Sequence, residues 1–162
     1  EMAVTNSFVH EIDISRWLLD AEPVLARISA APGGDPLMIT LETNTGAIAS
    51  TEVYMNARYG YHVHAQLVGR EGTVEMSAPT TTLTNHGRKH GHVWPESWVP
   101  RFRDAYRIQM NAWVRSIADK RPVGASAWDG YVATAIAEQV VTALQTGEPA
   151  RLTLAARPDL DL

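Results

Sequence analysis

Three polar side chains of different chemistry lie on one stripe of a predicted helix in the stretch NSFVHEIDISRWLLD, residues 6 to 20. At about 100° per residue, Asn6, His10 and Asp13 point away from the face that carries Phe8. An amide, an imidazole and a carboxylate offer hydrogen-bond donors and acceptors of three kinds in a row. A helix that only covered a sheet would carry a mixture of Lys and Glu there. The stripe is therefore typical of the wall of a polar pocket.

A purely structural interpretation explains the same residues. Asn is among the best helix N-cap residues, so Asn6 suits the position just before a helix. His10 and Asp13 are three residues apart, a spacing that gives an ordinary surface pair worth about a few tenths of a kcal/mol. The pattern alone leaves both interpretations open, and only other features of the chain can favour one of them.

The order of the predicted elements that position these residues defines the fold class. A first helix covers residues 7 to 19 and ends before Pro23, which cannot continue it. Strands joined by short turns follow, and connections this short make neighbouring strands antiparallel. The predicted strands cover 24–30, 37–43, 47–55, 61–69, 72–77 and 81–85, and after a loop at 86–96 the chain continues with helices at 97–120 and 127–146 and a last strand at 150–154. This order predicts an α+β fold: an open, mostly antiparallel sheet with helices packed on one face.

Length and composition fit one globular domain. The chain has 162 residues, 45% of them apolar and 20% charged, which is enough for one core and too little for two. A net charge of −4 gives no electrostatic reason to expect nucleic acid as a partner. No cysteine is present, which excludes disulfides and thiolate chemistry. The sequence has neither an apolar run of membrane-spanning length nor a signal-peptide pattern, so we expect no membrane partner and a cytoplasmic location.

Common cofactor and metal motifs are missing from the sequence. It contains no G-x-G-x-x-G and no G-x-x-x-x-G-K-[ST], and so no phosphate cradle of its own. Six histidines raise the question of a metal site, above all HGRKHGH (86–92) and the pair His62 and His64. Neither group has Cys or carboxylate partners at close spacing, and we predict a flexible loop and a polar strand face without a metal. The segment RYGYH (58–62) places Tyr61 beside a glycine, which indicates either strand-end packing or a backbone that makes room for a ligand.

Four segments together resemble the C-terminal domain of the Gfo/Idh/MocA oxidoreductases. They are HEIDISRWLL, EVYMNARYGYHVHAQLVGREGTVEM, RFRDAY and SAWDGYVATAIAEQ, and they extend over nearly the whole chain. The likeness is strongest to the inositol 2-dehydrogenases. It implies that residues 1–162 form a single C-terminal domain for substrate binding and oligomerisation, with a dihydrodipicolinate-reductase-like fold. It also implies an N-terminal Rossmann domain that lies outside this chain and binds NAD, so we expect neither a cofactor nor activity in this chain alone.

The same resemblance implies roles for five residues. His10 matches the catalytic histidine of the family, Asp13 and Tyr61 match positions that hold substrate hydroxyls, and Tyr131 approaches the site. Asn6 stands beside His10 at a position where the family often has Asp, and we assign it to catalysis with His10. An imidazole, with an ordinary pKa of about 6.5, suits removal of a hydroxyl proton at neutral pH. The expected substrate is a cyclic polyol or sugar, such as myo-inositol, which the full-length enzyme oxidises at a secondary hydroxyl to 2-keto-inositol.

Two functions are compatible with these residues. One is the substrate-binding domain of an NAD-dependent polyol dehydrogenase. The other is a non-catalytic sugar-binding or assembly module of the same fold, which Asn6 favours. For the enzyme, the expected partners are the polyol, the protein's own Rossmann domain and further copies of the chain, in a homo-dimer or homo-tetramer formed through the open sheet face.

Overall fold

The chain consists of two compact units, which are described separately. The structure, a computed structural model, describes residues 1–77 and 83–159. The first unit contains residues 1–56 and the chain from residue 125 onward, and the second contains residues 57–124. We call them the helix–sheet unit and the hairpin unit.

The regular elements follow the predicted order. In chain order they are a π-helical turn Val4–Phe8, α1 Val9–Leu19, β1 Pro23–Ala30, β2 Leu37–Thr43, β3 Ile48–Val53, β4 Gln66–Val68, β5 Thr73–Glu75, β6 Thr84–His86, β7 Lys89–Gly91, α2 Trp98–Asp119, α3 Ala127–Thr146 and β8 Ala150–Arg151. Within the described residues, no helix is both long and apolar enough to cross a membrane.

Four strands of the helix–sheet unit form one antiparallel sheet in the order β3-β2-β1-β8. Side chains alternate across it, because successive residues of a strand point to opposite faces. On β2, Leu37, Ile39 and Leu41 are each 1% exposed, whereas Met38 between them is 46% exposed. The buried face contacts α1 and α3, and the opposite face carries polar side chains such as the ion pair between Arg27 and Glu42.

The core of this unit joins the π-helical turn, α1, α3 and the buried face of the sheet. Its fully buried large side chains are Val4, Phe8, Ile12, Leu37, Ile39, Leu41, Val132, Ile136 and Val140. The last three lie four residues apart on α3, which gives that helix one apolar stripe toward the sheet. Ser126 and Asp129 form a capping box at the start of α3, and Gly147 ends it with a left-handed φ of 75°. Local contacts thus cap both ends of α3.

The hairpin unit contains α2 and two two-stranded sheets, β4-β5 and β6-β7. Gly87 and Arg88, with φ of 55° and 65°, make the tight turn between β6 and β7. The predicted loop at 86–96 is therefore wrong at its start, which forms this hairpin. Residues 81 and 82, at the start of the strand predicted at 81–85, lie outside the described residues.

The predicted fold class is confirmed: an antiparallel sheet is covered on one face by helices. The predicted lengths and burial of individual elements were less accurate. The strand predicted at 61–69 is reduced to Gln66–Val68, because the backbone N–H of Tyr61 donates to the carbonyl oxygen of Pro95 at 2.6 Å instead of joining a strand ladder. The helix predicted at 97–120 is present as α2, but its apolar side chains at Tyr106 and Trp113 are 52% and 54% exposed.

Candidate functional site

The π-helical turn sets the direction of the polar stripe. Four α-helical residues advance about 40° beyond a full turn, whereas four π-helical residues fall short of one by about 30°. The two offsets cancel across this junction, so that Val4, Phe8 and Ile12 share one face and are all 0% exposed. The same wider turn brings Asn6 closer to the direction of His10 than a uniform α-helix would. π-helical turns inside helices occur frequently at functional sites.

Asn6 lies inside this turn, so the interpretation of Asn6 as a helix N-cap is wrong. The helix begins before it, and residue Ala3 occupies the cap position of the π-helical turn. Asn6 is exposed, and its side-chain oxygen accepts a hydrogen bond of 3.4 Å from Thr5 Oγ1. Because Asn6 does not cap the helix, its side chain is available for a different role.

His10 lies one turn after Asn6 and is exposed. Within residues 1–77 and 83–159, its ring makes no hydrogen bond to another protein group. The neighbouring Glu11 is partly buried, and its shielding from water raises the pKa of its carboxyl while His10 opposes that rise. The imidazole is thus accessible to a small molecule and stands beside a carboxyl group that binds its proton more readily than usual.

Asp13 contacts a cation that the sequence analysis did not single out. The guanidinium of Arg16, 8% exposed, lies 3.8 Å from an oxygen of Asp13. It also donates two hydrogen bonds to Glu22, from Nε at 2.7 Å and from Nη2 at 2.6 Å, and a third to Asp129 at 3.1 Å. Its hydrogen bonds to Glu22 raise the pKa of Arg16 above the ordinary value, although burial opposes them. A permanently charged group therefore joins Asp13 to Glu22, the residue before β1, and to α3.

Asp129 connects this cation to the start of α3. Its carboxylate accepts hydrogen bonds from the backbone N–H and the hydroxyl of Ser126, both at 2.7 Å. These bonds lower the pKa of Asp129, and Arg16 lowers it further. Tyr131, two residues on, is 42% exposed, packs on Trp128 with 5.2 Å between ring centroids and accepts a hydrogen bond from the backbone of Ala155 at 3.1 Å. The π-helical turn and α1 both pack against α3, so Asn6 on the turn, His10 and Asp13 on α1 and Tyr131 on α3 belong to helical segments that pack together.

Tyr61 lies in the hairpin unit and is held there by its neighbours. Its ring makes an edge contact with Phe102 at 6.1 Å between centroids. Gly60 before it has a φ of +118°, and a Cβ on Gly60 would meet the Cβ of Trp94 at 2.7 Å and the carbonyl oxygen of Pro95 at 3.0 Å. The space that Gly60 leaves is therefore filled by Trp94 and Pro95, and this packing is not at a strand end, since β4 begins only at Gln66.

The histidines of the hairpin unit make aromatic and ionic contacts. The ring of His62 lies 4.0 Å from that of Trp94, and Nε2 of His64 lies 3.9 Å from a carboxylate oxygen of Glu75. Among the described residues, no group of three or more His, Asp or Glu side chains is arranged to hold a metal ion.

The sequence thus identified the polar groups of α1 and missed the cation that joins them to the rest of the unit. The Asp13–Arg16 spacing of three was a signal in the sequence, because such pairs meet on a helix surface. The other two partners of Arg16, 6 and 113 residues away, meet it only through the fold.

Comparison with known proteins gives one consistent result. Residues 1–152 match the C-terminal α/β domain of an oxidoreductase family, Gfo/Idh/MocA. The chain is 41% identical over 168 residues to inositol 2-dehydrogenase 1 of Saccharopolyspora erythraea, which covers 99% of this chain and 50% of the relative. It is 34% identical over 168 residues to the inositol 2-dehydrogenase/D-chiro-inositol 3-dehydrogenase of Shouchella clausii, covering 98% of this chain and 48% of the relative.

Solved structures agree with these relatives. The myo-inositol dehydrogenase of Lactobacillus casei, determined in complex with NAD(H) and myo-inositol, superposes with a TM-score of 0.87 at 28% identity, over 98% of this chain and 50% of that one. The chain spans about half the length of the relatives it matches. With its antiparallel sheet, its two covering helices and its matched residues 1–152, the chain belongs to the Gfo/Idh/MocA oxidoreductase family as the C-terminal α/β domain.

Proposed function

We propose that this chain is the substrate-binding and oligomerisation domain of an NAD-dependent dehydrogenase that oxidises a secondary hydroxyl of a cyclic polyol, with myo-inositol converted to 2-keto-inositol. The observation that carries the proposal is the exposed His10 on the outer side of α1, between Asn6 and Asp13, in a chain 41% identical to an inositol 2-dehydrogenase. On this proposal residues 1–162 act as one functional domain, even though two compact units form it.

His10 is the proton acceptor in this proposal. Oxidation of a secondary alcohol breaks the O–H and C–H bonds of one carbon centre, and the hydroxyl proton needs a base. A neutral imidazole is a suitable base near neutral pH, and His10 is exposed. Asn6 orients the ring or an adjacent hydroxyl through its amide, which is both a donor and an acceptor.

Asp13, Tyr61 and Tyr131 hold the other hydroxyls of the ring. A cyclic polyol presents a hydroxyl at every carbon, and each one that leaves water needs a partner of its own. The carboxylate of Asp13 accepts hydrogen bonds, and the two phenols both donate and accept them. Fixing several hydroxyls fixes the orientation of the reacting carbon, which lowers the entropic part of the barrier.

NAD is assigned to the Rossmann domain of the full-length protein, where it accepts the hydride when bound. The described residues of this chain do not fit a dinucleotide. The start of α3 is filled by its own Asp129 carboxylate, which repels a pyrophosphate, and α2 begins at Ser97 and Trp98 without a glycine-rich turn. The work of this chain is therefore to bind and orient the polyol and to take its proton.

The partners follow from the same proposal. They are the polyol, the Rossmann domain and further copies of the chain, in a homo-dimer or homo-tetramer through the open face of the four-stranded sheet. That face carries Ile48 and Met38, which are 64% and 46% exposed, together with the Arg27–Glu42 ion pair. Such a mixture of apolar and charged groups suits a symmetric contact. We place the protein in the cytoplasm.

The non-catalytic module is the second candidate, and Asn6 is the observation that favours it. An amide at this position provides no negative charge to stabilise a protonated His10. A sugar-binding or assembly module needs no such charge and has the same polar stripe of Asn6, His10 and Asp13.

The test is an assay of the full-length protein that contains this chain. With myo-inositol and NAD, we expect the absorbance of the reduced cofactor to appear, and isothermal titration of this chain alone with NAD to give no heat of binding. Tight binding of myo-inositol without oxidation would favour the non-catalytic module. Micromolar binding of NAD to this chain would contradict the assignment of the cofactor to the other domain.

A further inference from the structure

Arg16 is the one point in the described helix–sheet unit at which α1, α3 and Glu22, the residue before β1, are joined by charge. Its side chain is 8% exposed, whereas those of its partners Asp13, Glu22 and Asp129 are 45%, 42% and 31% exposed. The fork of the guanidinium uses Nε and Nη2 on Glu22 and leaves Nη1 for Asp129 and Asp13. A lysine has one nitrogen and cannot hold all three partners in this geometry.

The contacts of Arg16 connect the segments that carry residues of the proposed polyol site. Its backbone carbonyl accepts from Asp20, the left-handed residue that ends α1, and its side chain holds Glu22, the residue before β1. Asp129, the third partner, caps the helix that carries Tyr131. Asp13 is one turn from His10 on α1 and has freedom to change rotamer, since 45% of its side chain is exposed.

The charges explain why Asp13 depends on Arg16. Three carboxylates surround one cation, so that without it Asp13 would face two like charges and turn toward water. A surface ion pair is worth little by itself, but a nearly buried guanidinium with bidentate geometry orders its partners far better. The exposed fractions of the carboxylates also mean that water can solvate them when the cation is removed, so loss of Arg16 need not unfold the unit.

We propose that Arg16 is a positioning residue, which acts through Asp13 and through the Asp129 cap to hold the substrate-binding wall of α1 and the start of α3 in one arrangement. The inference rests on the proposed function. It assigns no contact between Arg16 and substrate.

The experiment is a double-mutant cycle in the full-length protein, with Arg16→Met, Asp13→Asn and the combination, assayed for turnover and for the Michaelis constant with myo-inositol. Arg16→Met alone is expected to raise the Michaelis constant about tenfold and to change turnover by less than about threefold. When Arg16→Met is added to Asp13→Asn, the Michaelis constant should rise by no more than about twofold, because the carboxylate through which Arg16 acts has already been removed. The Michaelis constant of Arg16→Lys should lie between that of the wild-type protein and that of Arg16→Met.

Arg107→Met is the matched control. Arg107 also pairs with an Asp three residues away, at 3.3 Å from Asp104, but its side chain is 63% exposed. We expect the Michaelis constant of this variant to stay at the wild-type value. Hydrogen exchange adds a readout that needs no activity: amides at 126–131 should exchange faster in Arg16→Met and at the unchanged rate in Arg107→Met.

Each outcome decides the inference. If the effects on the Michaelis constant multiply in the double variant, or if Arg16→Met lowers only the melting temperature, Arg16 is structural and the inference is wrong. If Arg16→Met does not fold, the same cycle with Arg16→Lys applies the same criterion. If the unmodified protein oxidises myo-inositol, only the inference is at stake; if it does not, the proposed function fails first and the inference with it.

Discussion

The two units of this chain differ in how they fix a side chain. Every buried hydrophobic side chain of the described residues lies in the helix–sheet unit, and none lies in residues 57–124. His10 and Asp13 therefore stand on a helix that a core holds from behind. Tyr61, in the hairpin unit, is held by a backbone hydrogen bond to Pro95 and by the tight approach of Trp94 to Gly60. A core suits groups that must stay in place during chemistry, whereas local contacts suffice for a group that only binds.

The largest expected effect distinguishes a residue on a helix held by the core from a residue held by local contacts. In the full-length protein, His10→Ala should lower turnover by about 10²- to 10⁴-fold with a small change in the Michaelis constant, because a positioned general base acts in the transition state. Tyr61→Phe should raise the Michaelis constant and leave turnover nearly unchanged. Steady-state kinetics with myo-inositol measures both. Turnover within a factor of a few for His10→Ala would mean that the base lies elsewhere.

The next prediction compares how much one large apolar side chain of each unit contributes to stability. Phe8→Ala removes a fully buried ring and should lower the free energy of unfolding by about 3–5 kcal/mol. Trp113→Ala, on α2, removes a larger side chain that is 54% exposed, and should cost less than about 1 kcal/mol. Urea unfolding of the chain gives both values. Equal losses would show that the apolar side of α2 is covered in solution, and the contrast between the units would then be smaller than the single chain indicates.

Gly60 tests the local contacts of the hairpin unit. An alanine there combines a φ of +118° with a Cβ 2.7 Å from the Cβ of Trp94, an atom close to the backbone that cannot easily move. Backbone strain of this kind costs about 1–3 kcal/mol, and we expect Gly60→Ala to displace Tyr61 and raise the Michaelis constant several-fold. Gly124→Ala is the control, because Gly124 has a φ of +81° and open space around its Cβ position. Similar constants for the two variants would show that the contact with Trp94 and Pro95 does not position Tyr61.

The last prediction concerns Asn6, beside His10 in the helix–sheet unit. A carboxylate there would stabilise the protonated imidazole and raise its pKa. Asn6→Asp should therefore move the ionisation that limits turnover to higher pH and change turnover at saturating substrate by about tenfold, as one pKa unit is worth about 1.4 kcal/mol. The measurement is a pH profile of turnover for both forms. Superimposable profiles would leave Asn6 without a role in the reaction, although it is not a helix cap.

Short-range patterns of the sequence were sufficient for most helices and strands and for the polar stripe, but not for the extent of β4 or for the β6–β7 hairpin. The periodicity of Phe8 against Asn6, His10 and Asp13 predicted the helix and its exposed side. The two ends of α3 are likewise set by residues next to them in sequence, Ser126, Asp129 and Gly147. These signals are local: a cap or an amphipathic stripe depends on residues within one or two turns of each other. The roles of His10, Asp13, Tyr61 and Tyr131 came from the family resemblance and stay predictions.

Only the tertiary structure decided how these parts are held. The π-helical turn at Val4–Phe8 arises because Val4, Phe8 and Ile12 all pack into one core, a demand that the spacing of apolar residues alone does not express. Arg16 meets Asp129 across 113 positions of sequence, and Gly60 meets Trp94 across 34, so neither contact follows from a local pattern. The chain encodes its helices and strands through neighbours in sequence, but the positions of its functional groups depend on contacts that form only when distant segments fold together.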